Sequence, residues 1–344
     1  MKRTALALTL TLTLLISSVS IVHPAKSTPR TIIVPDNFPT IPEAVRNATA
    51  GDTVYVRAGN YTIPPAWEYG IEIGNSVTLR GENPNTTIIA TTEMTSLAFG
   101  VGYGIVLRDD AEISGFTITG NLIVLHQFGN GRITNNIINL TGNGECAIWA
   151  SSGTISSNVI NSADQGVNGL HLGTSGIDAG SPANLVISNN VIDGFGMGIN
   201  VGYRSKGVRI LNNTLVNNAI GLFISEDPGL LAGNNIVNST AHAMVGMDNV
   251  NATYNWWGTI DSQKIAGSIT TGLHTGVSVT FTPFLTEPNY QAKPIESSFA
   301  PPVLPSSALD VPYWTVAIVT ALVVVAAVTA VFLKRKRSKD LESS

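Results

Sequence analysis

Trp149, His171, Asn200, Phe223 and Val245 hold the same place in five successive copies of one motif, small–apolar–x–apolar. The copies read Ala147-Ile148-Trp149-Ala150, Gly169-Leu170-His171-Leu172, Gly198-Ile199-Asn200-Val201, Gly221-Leu222-Phe223-Ile224 and Ala243-Met244-Val245-Gly246. Period-two alternation turns Ile148, Leu170, Ile199, Leu222 and Met244 inward and the first five outward. In the connections that follow come Asp178, Tyr203, Arg204, Glu226, Asp227 and Asp248. Aromatic rings beside carboxylates and an arginine suit a carbohydrate groove. The rings give a platform for sugar faces, and the charged groups bond the hydroxyls. Trp149, His171, Tyr203, Phe223 and Asp248 are the candidate binding residues. The competing reading makes the charges solvated turn residues, and Glu226-Asp227-Pro228-Gly229 has the composition of a turn.

One cluster of soft donors occurs, His242-Ala243-Met244-Val245-Gly246-Met247. Histidine and methionine suit Cu(I), so His242, Met244 and Met247 are the candidate metal ligands. Met244 also falls on the inward apolar column, where core packing is the competing role. The single cysteine, Cys146, stands two residues before inward Ile148 and is expected as a small buried hydrophobe. His126 and His274 have no recognisable partners in the sequence.

The element that carries these residues is a repeat. A second pattern, apolar-x-x-Asn-x-apolar, recurs at Ile133–Ile138, Ile155–Ile160, Ile187–Ile192, Ile210–Leu215 and Ala232–Val237. Its aligned asparagines are Asn136, Asn158, Asn190, Asn213 and Asn235, separated by 22, 32, 23 and 22 residues. The long interval holds an insertion around Thr174–Pro182. Coils stacked on one another must keep such a period, because each side chain recurs above itself about 4.8 Å away. Asparagine at an equivalent inward turn can bond the next amide in a ladder.

These repeats resemble the right-handed parallel β-helix of the pectate-lyase-like superfamily, including its surface-protein and periplasmic copper-accessory-like group. The stretch Ile41–Ala48, followed by Gly51–Val56 and Gly59–Tyr61, resembles that group's opening, with a short helix capping the first coil. Val77–Glu82 and Ile113–Ile118 resemble early coils, and Tyr254–Gly258 with Pro283–Leu285 resembles the close. The resemblance runs over about Thr31–Thr286 and implies an all-β solenoid, which hosts lyases, hydrolases, epimerases and non-enzymatic binders. Trp257 falls on the inward slot of Ile138, Ile160, Ile192, Leu215 and Val237, where it would plug the open end; sugar binding by Trp256 and Trp257 is the competing role. In pectate-lyase relatives, clustered aspartates hold Ca²⁺ and an arginine or lysine takes the proton. The resemblance thus implies Arg204 as base and Asp178, Glu226 and Asp227 as ligands. No lyase motif surrounds them, and the Asp-Pro-His-Asp signature of alginate epimerases is absent.

Both ends read as membrane signals. Met1-Lys2-Arg3 precedes an uncharged Ala5–Val22, the pattern of a secretory signal peptide over residues 1–27. Tyr313–Leu333 is 21 residues without a charge. At ~1.5 Å per residue it makes ~32 Å of helix, enough to span. Lys334-Arg335-Lys336-Arg337 follows and keeps the tail, residues 334–344, cytoplasmic. The expected organisation is a capping region over 28–70, coils over 71–286, a Pro/Ser-rich stalk over 287–312 and a single span over 313–333. Seven Asn-x-Ser/Thr sequons lie in the outer part, at Asn47, Asn60, Asn85, Asn139, Asn212, Asn238 and Asn251.

Composition narrows the function. Between Arg30 and Asp310 there are 11 Lys+Arg against 21 Asp+Glu, a net −10, and no lysine occurs between Lys26 and Lys206. Nucleic-acid binding needs a basic footprint and is disfavoured. Three functions remain. The preferred one is a non-catalytic, membrane-anchored surface protein that binds a glycan or a partner. The second is a polysaccharide lyase, hydrolase or epimerase acting on acidic glycans, with Ca²⁺ if a lyase. The third is a copper-handling accessory protein. No cofactor is expected for the first.

Overall fold

A computed structural model of the chain describes residues 28–63, 69–74, 76–91, 103–120, 123–141, 146–162, 168–172, 184–202, 207–272 and 276–294. The expected signal peptide, membrane span and basic tail lie outside the described residues, as does the stalk beyond residue 294. The chain divides into two units, Met1–Ala300 and Pro301–Ser344, and all that follows concerns the first. Among the described residues no helix is long and apolar enough to cross a membrane.

Among the described residues, short strands succeed one another in a fixed rotation over three parallel sheets of nine, eight and nine strands. One coil shows the pattern: Arg209–Leu211 lies on the first sheet, Thr214–Val216 on the second and Ile220–Ile224 on the third. Each strand pairs in parallel with its counterpart one coil away, which makes the unit a parallel β-helix. The first sheet already begins at Thr31–Val34, paired with Thr53–Val56, so coils start inside the stretch expected to be a cap.

Stacking puts like on like. On the first sheet Val54, Leu79, Ile113, Ile133, Ile155, Ile187, Ile210 and Leu231 form one inward column. On the second, Ile89, Ile118, Ile138, Ile160, Ile192, Leu215 and Ile236 do the same. All are buried. At ~1.5–3 kcal/mol per buried side chain, three or more per coil offset much of the entropy lost in ordering it. The small residue of the third-sheet motif has a steric cause. A Cβ on Gly198 would stand 2.8 Å from the carbonyl oxygen of Gly221, and one on Gly221 would stand 2.7 Å from that of Ala243.

Between the first and second sheets the chain turns on a left-handed residue followed by a buried asparagine. Asn135, Ser157, Asn189 and Asn212 have φ of 54–58° there, and Gly233 has 71°. The buried partners are Asn136, Asn158, Asn190, Asn213, Asn234 and Asn255. This corrects one rung of the expected ladder: Asn234, not Asn235, continues it, and Ile236, not Val237, takes the inward slot. Leu231 pairs with Ile210, which makes that coil one residue shorter than the alignment assumed.

Each carboxamide joins three coils. Asn213 Nδ2 donates back to Ile187 O at 2.9 Å, within its coil to Leu211 O at 3.1 Å, and forward to Asn234 Oδ1 at 3.0 Å. Its Oδ1 accepts from the backbone N–H and Nδ2 of Asn190, both at 3.0 Å. Phe116 starts the series by donating its N–H to Asn136 Oδ1, and Asn255 ends it by donating to Ala252 O.

Both ends are closed. At the N-terminal end the helix Ile41–Arg46 buries Ile41, Ala44 and Val45, with Thr40 accepting from Glu43 N as its N-cap. Beside it Asp52 is fully buried. Burial alone would raise its pKa, but four hydrogen bonds outweigh that and hold it at about 2: from the N–H groups of Arg30 and Thr49, the Arg30 guanidinium and the Thr49 hydroxyl. At the C-terminal end Trp257 is only 6% exposed and lies over the core next to the Ile236 coil, in the plugging role expected of it. The helix Ser262–Ser268, N-capped by Asp261, adds buried Ile265.

The beginning of the expected stalk is fixed to the coils. Asn289 Nδ2 donates to Asn212 Oδ1 and Gly233 O, while Asn289 and Asn235 exchange backbone–side-chain bonds at 2.8 and 3.0 Å. Asn189 Nδ2 reaches Gln291 O, and the Thr214 hydroxyl donates to Ala292 O at 2.5 Å. Residues 285–293 thus form a strap along the flank.

Two predictions test these contacts. Asn213→Leu should cost about 3 kcal/mol or more in a denaturant melt, because amides in neighbouring coils are left buried and unpaired. Asn212→Gly, which keeps the left-handed turn, should cost much less; equal losses would disprove the ladder register. Asp52 gives a pH test. Its folded pKa lies below its unfolded value of 3.8, so its contribution is complete above about pH 5 and fades as pH falls toward 2. Asp52→Asn should flatten that acid limb, on the order of 1–2 kcal/mol, and an unchanged limb would refute the assignment.

Candidate functional site

The outward column of the third sheet exists as expected from the alternation. Cross-strand register aligns Trp149 with His171, His171 with Asn200, Asn200 with Phe223 and Phe223 with Val245. Towards the N-terminal end the register continues through His126, whose side chain lies outside the described residues, buried Val106 and Glu72. Trp149, Asn200 and Phe223 are half-buried, and Val245 is buried, so the column is not an open row of rings. At its N-terminal end Arg108 Nε meets Glu72 Oε1 at 2.7 Å.

The polar candidates divide. Asp178, Tyr203 and Arg204 lie outside the described residues, as does the side chain of His171. Asp227 and Asp248 stitch neighbouring turns together. Asp248 accepts from the N–H groups of Asp227 and Asn249, and Asp227 accepts from Gly229 N. Glu226 is half-buried in the same turn. These bonds agree with the turn-residue reading for Asp227 and Asp248.

The soft donors also separate. Met244 is fully buried on the inward column beside Leu222, as the packing role required. Met247 is half-buried, with its sulfur 3.9 Å from the Ser225 hydroxyl. His242 Nδ1 is buried without a hydrogen-bond partner among the described residues. No group of three His, Cys, Asp or Glu able to hold a metal occurs among the described residues. Cys146 is buried. Among the sequons, Asn47, Asn60, Asn85, Asn238 and Asn251 are exposed. Asn139 and Asn212 are half-buried and accept bonds from Asn161 and Asn289.

Sequence reasoning passed over a concavity on the flank. The strap and the coil turns enclose an open groove of about 560 Å³, lined by Asn212, Gly233, Tyr254, Leu285, Glu287 and Tyr290 among others. Two signals for it were available. Asn289 is the single asparagine beyond Asn255, and Tyr254 stands where earlier coils carry Gly, Asn or Ser.

No family model and no curated protein matches the chain. Among solved structures it is similar to the A-module of a mannuronan C-5 epimerase from Azotobacter vinelandii, at 15% identity over 72% of this chain and 89% of that one, with a TM-score of 0.46.

Proposed function

We propose that the chain is a membrane-anchored surface protein whose β-helix binds an extended glycan along the third sheet. The observation that carries this reading is the register placing Trp149, His171, Asn200 and Phe223 in four consecutive coils. Neighbouring strands lie about 4.8 Å apart, close to the rise of one pyranose unit in an extended chain. Successive sugars could therefore meet successive rungs, with ring faces on Trp149 and Phe223 and hydroxyls on Asn200. The uncharged Tyr313–Leu333 with its basic stop supports a single span, with the coils outside and the tail in the cytoplasm.

A catalytic variant of this reading has its own support. Asp178, Arg204 and Glu226–Asp227 occupy the connections after the third-sheet strands Asn168–Leu172, Met197–Val201 and Ile220–Ile224 in successive coils. In the sequence a cation and three carboxylates thus follow strands of this sheet, the groups a lyase or epimerase of acidic glycans would use. Copper handling has weaker support, because the central donor, Met244, is in the core.

The test is a polysaccharide array probed with the full chain in detergent, run beside an activity screen on uronate polymers with and without Ca²⁺. Trp149→Ala and Phe223→Ala should each weaken capture by about 1 kcal/mol, roughly fivefold, with little change in Tm. Unfolding of both variants, or unchanged capture, would remove the column as a site. Chain cleavage or epimerisation of a uronate polymer would select the catalytic variant. Protease added to intact cells should digest the coils and spare a C-terminal tag; loss of the tag would reverse the topology.

A further inference from the structure

The groove under the strap is built differently from the third-sheet column. Tyr254 is 57% exposed and Tyr290 is 71% exposed, and both line it. Leu285 supplies apolar wall, and Gly233 lets the Asn212 and Asn289 carboxamides pack against the turn, since a Cβ there would overlap Asn212 Oδ1. The polar groups are unspent. The side chains of Tyr254, Tyr290 and Glu287 make no hydrogen bond or ion pair among the described residues, and neither does Asn212 Nδ2. Asn212 Oδ1 and both ends of the Asn289 amide are taken by the strap, so the frame of the groove is fixed while its lining is available.

Tyr254 carries the second observation. It has a φ of +58°, in the turn slot that the preceding coils fill with Gly115, Asn135, Ser157, Asn189, Asn212 and Gly233. Glycine and asparagine adopt this region readily, and a bulky aromatic residue does so at a cost. A large ring kept in an unfavourable backbone conformation, and kept at the surface, points to a role in recognition. The lining contains one charge, Glu287, and no lysine or arginine. An acidic sugar would be repelled by Glu287 with no cation in the lining to offset it, whereas a neutral hexose can stack on a tyrosine face and bond Glu287 and Asn212 through its hydroxyls.

We infer that the groove between the strap and the turns at Asn212, Gly233 and Tyr254 is a binding subsite for neutral sugars, separate from the third-sheet column. The left-handed backbone makes the test clean. Tyr254→Asn replaces the ring with a residue suited to φ +58°, so its Tm should stay level or rise.

The experiment is saturation-transfer NMR and calorimetry on the full chain in detergent, produced without N-glycosylation so that no sugar on Asn212 fills the groove. The probes are cellotetraose, mannotetraose and, as the acidic control, tetragalacturonate. At least one neutral tetrasaccharide should bind, and Tyr254→Asn and Tyr290→Ala should each lower its affinity fivefold or more. Trp149→Ala should leave that affinity unchanged. Failure of both neutral probes would overturn the proposal. So would affinity unchanged in both tyrosine variants, or loss of neutral-sugar binding in Trp149→Ala. Capture of tetragalacturonate that depends on Trp149 alone would support the third-sheet site and not this one.

Discussion

From the Ile133 coil to the Asn255 turn, each coil turns a corner that buries backbone N–H and C=O groups, and one asparagine carboxamide per coil satisfies them. The geometry suits no other common side chain. A carboxamide donates twice and accepts at one oxygen within a single planar group, so it can bond backward, locally and forward at once, as Asn158 does with Ile133 O, Ser156 O and Asn190 Oδ1. Aspartate would lose the donors and bring a buried charge, and leucine would lose everything. The apolar columns on the three sheets supply most of the driving force, but they are indifferent to slips of two residues, which keep the same face inward. The amide series is not, and it fixes which residue of each coil lies above which.

That constraint explains where the chain may vary. Between Asn158 and Asn190 the coil carries extra residues, yet Asn158 N still meets Asn190 Oδ1 at 2.9 Å, and Val159 still pairs with Val191. The insertion therefore enters at a connection after the third sheet and leaves the first corner untouched. The connections after the third sheet also hold the candidate charged residues. The fold separates a rigid corner, where sequence is dictated by hydrogen bonding, from an edge where loops can change length and chemistry.

Much of this was legible in the sequence. Asparagine at intervals near 22, with isoleucine three before and two after, specifies both the coil and the inward face, and Ile133, Asn136 and Ile138 occupy those places. The misplaced rung arose because Asn234 and Asn235 are adjacent and only Leu231, itself next to Leu230, distinguishes them. Trp257 as a plug followed from the second-sheet column and Met244 as core from the third-sheet column. The site was less legible. Alternation gives the side of the sheet on which Trp149 and Phe223 lie, but not how far neighbouring coils cover them. The strap was invisible, because Glu287–Lys293 opens the proline-rich stretch that reads as a linker and has no period. It is held by asparagine bonds to residues 54 to 102 positions away.

The strap also decides how the protein would carry tension. Its bonds run from Asn189 through Asn212, Thr214 and Asn235, so the chain leaves the flank several coils inside the C-terminal cap. A pull on the chain beyond Lys293 would reach the strap bonds before it reaches the last coil. The Trp257 plug and the last strands would not be the first points to feel it. A solenoid tethered through its final coil would instead peel open one rung at a time. With this exit point the end cap can stay closed while the molecule is held under load.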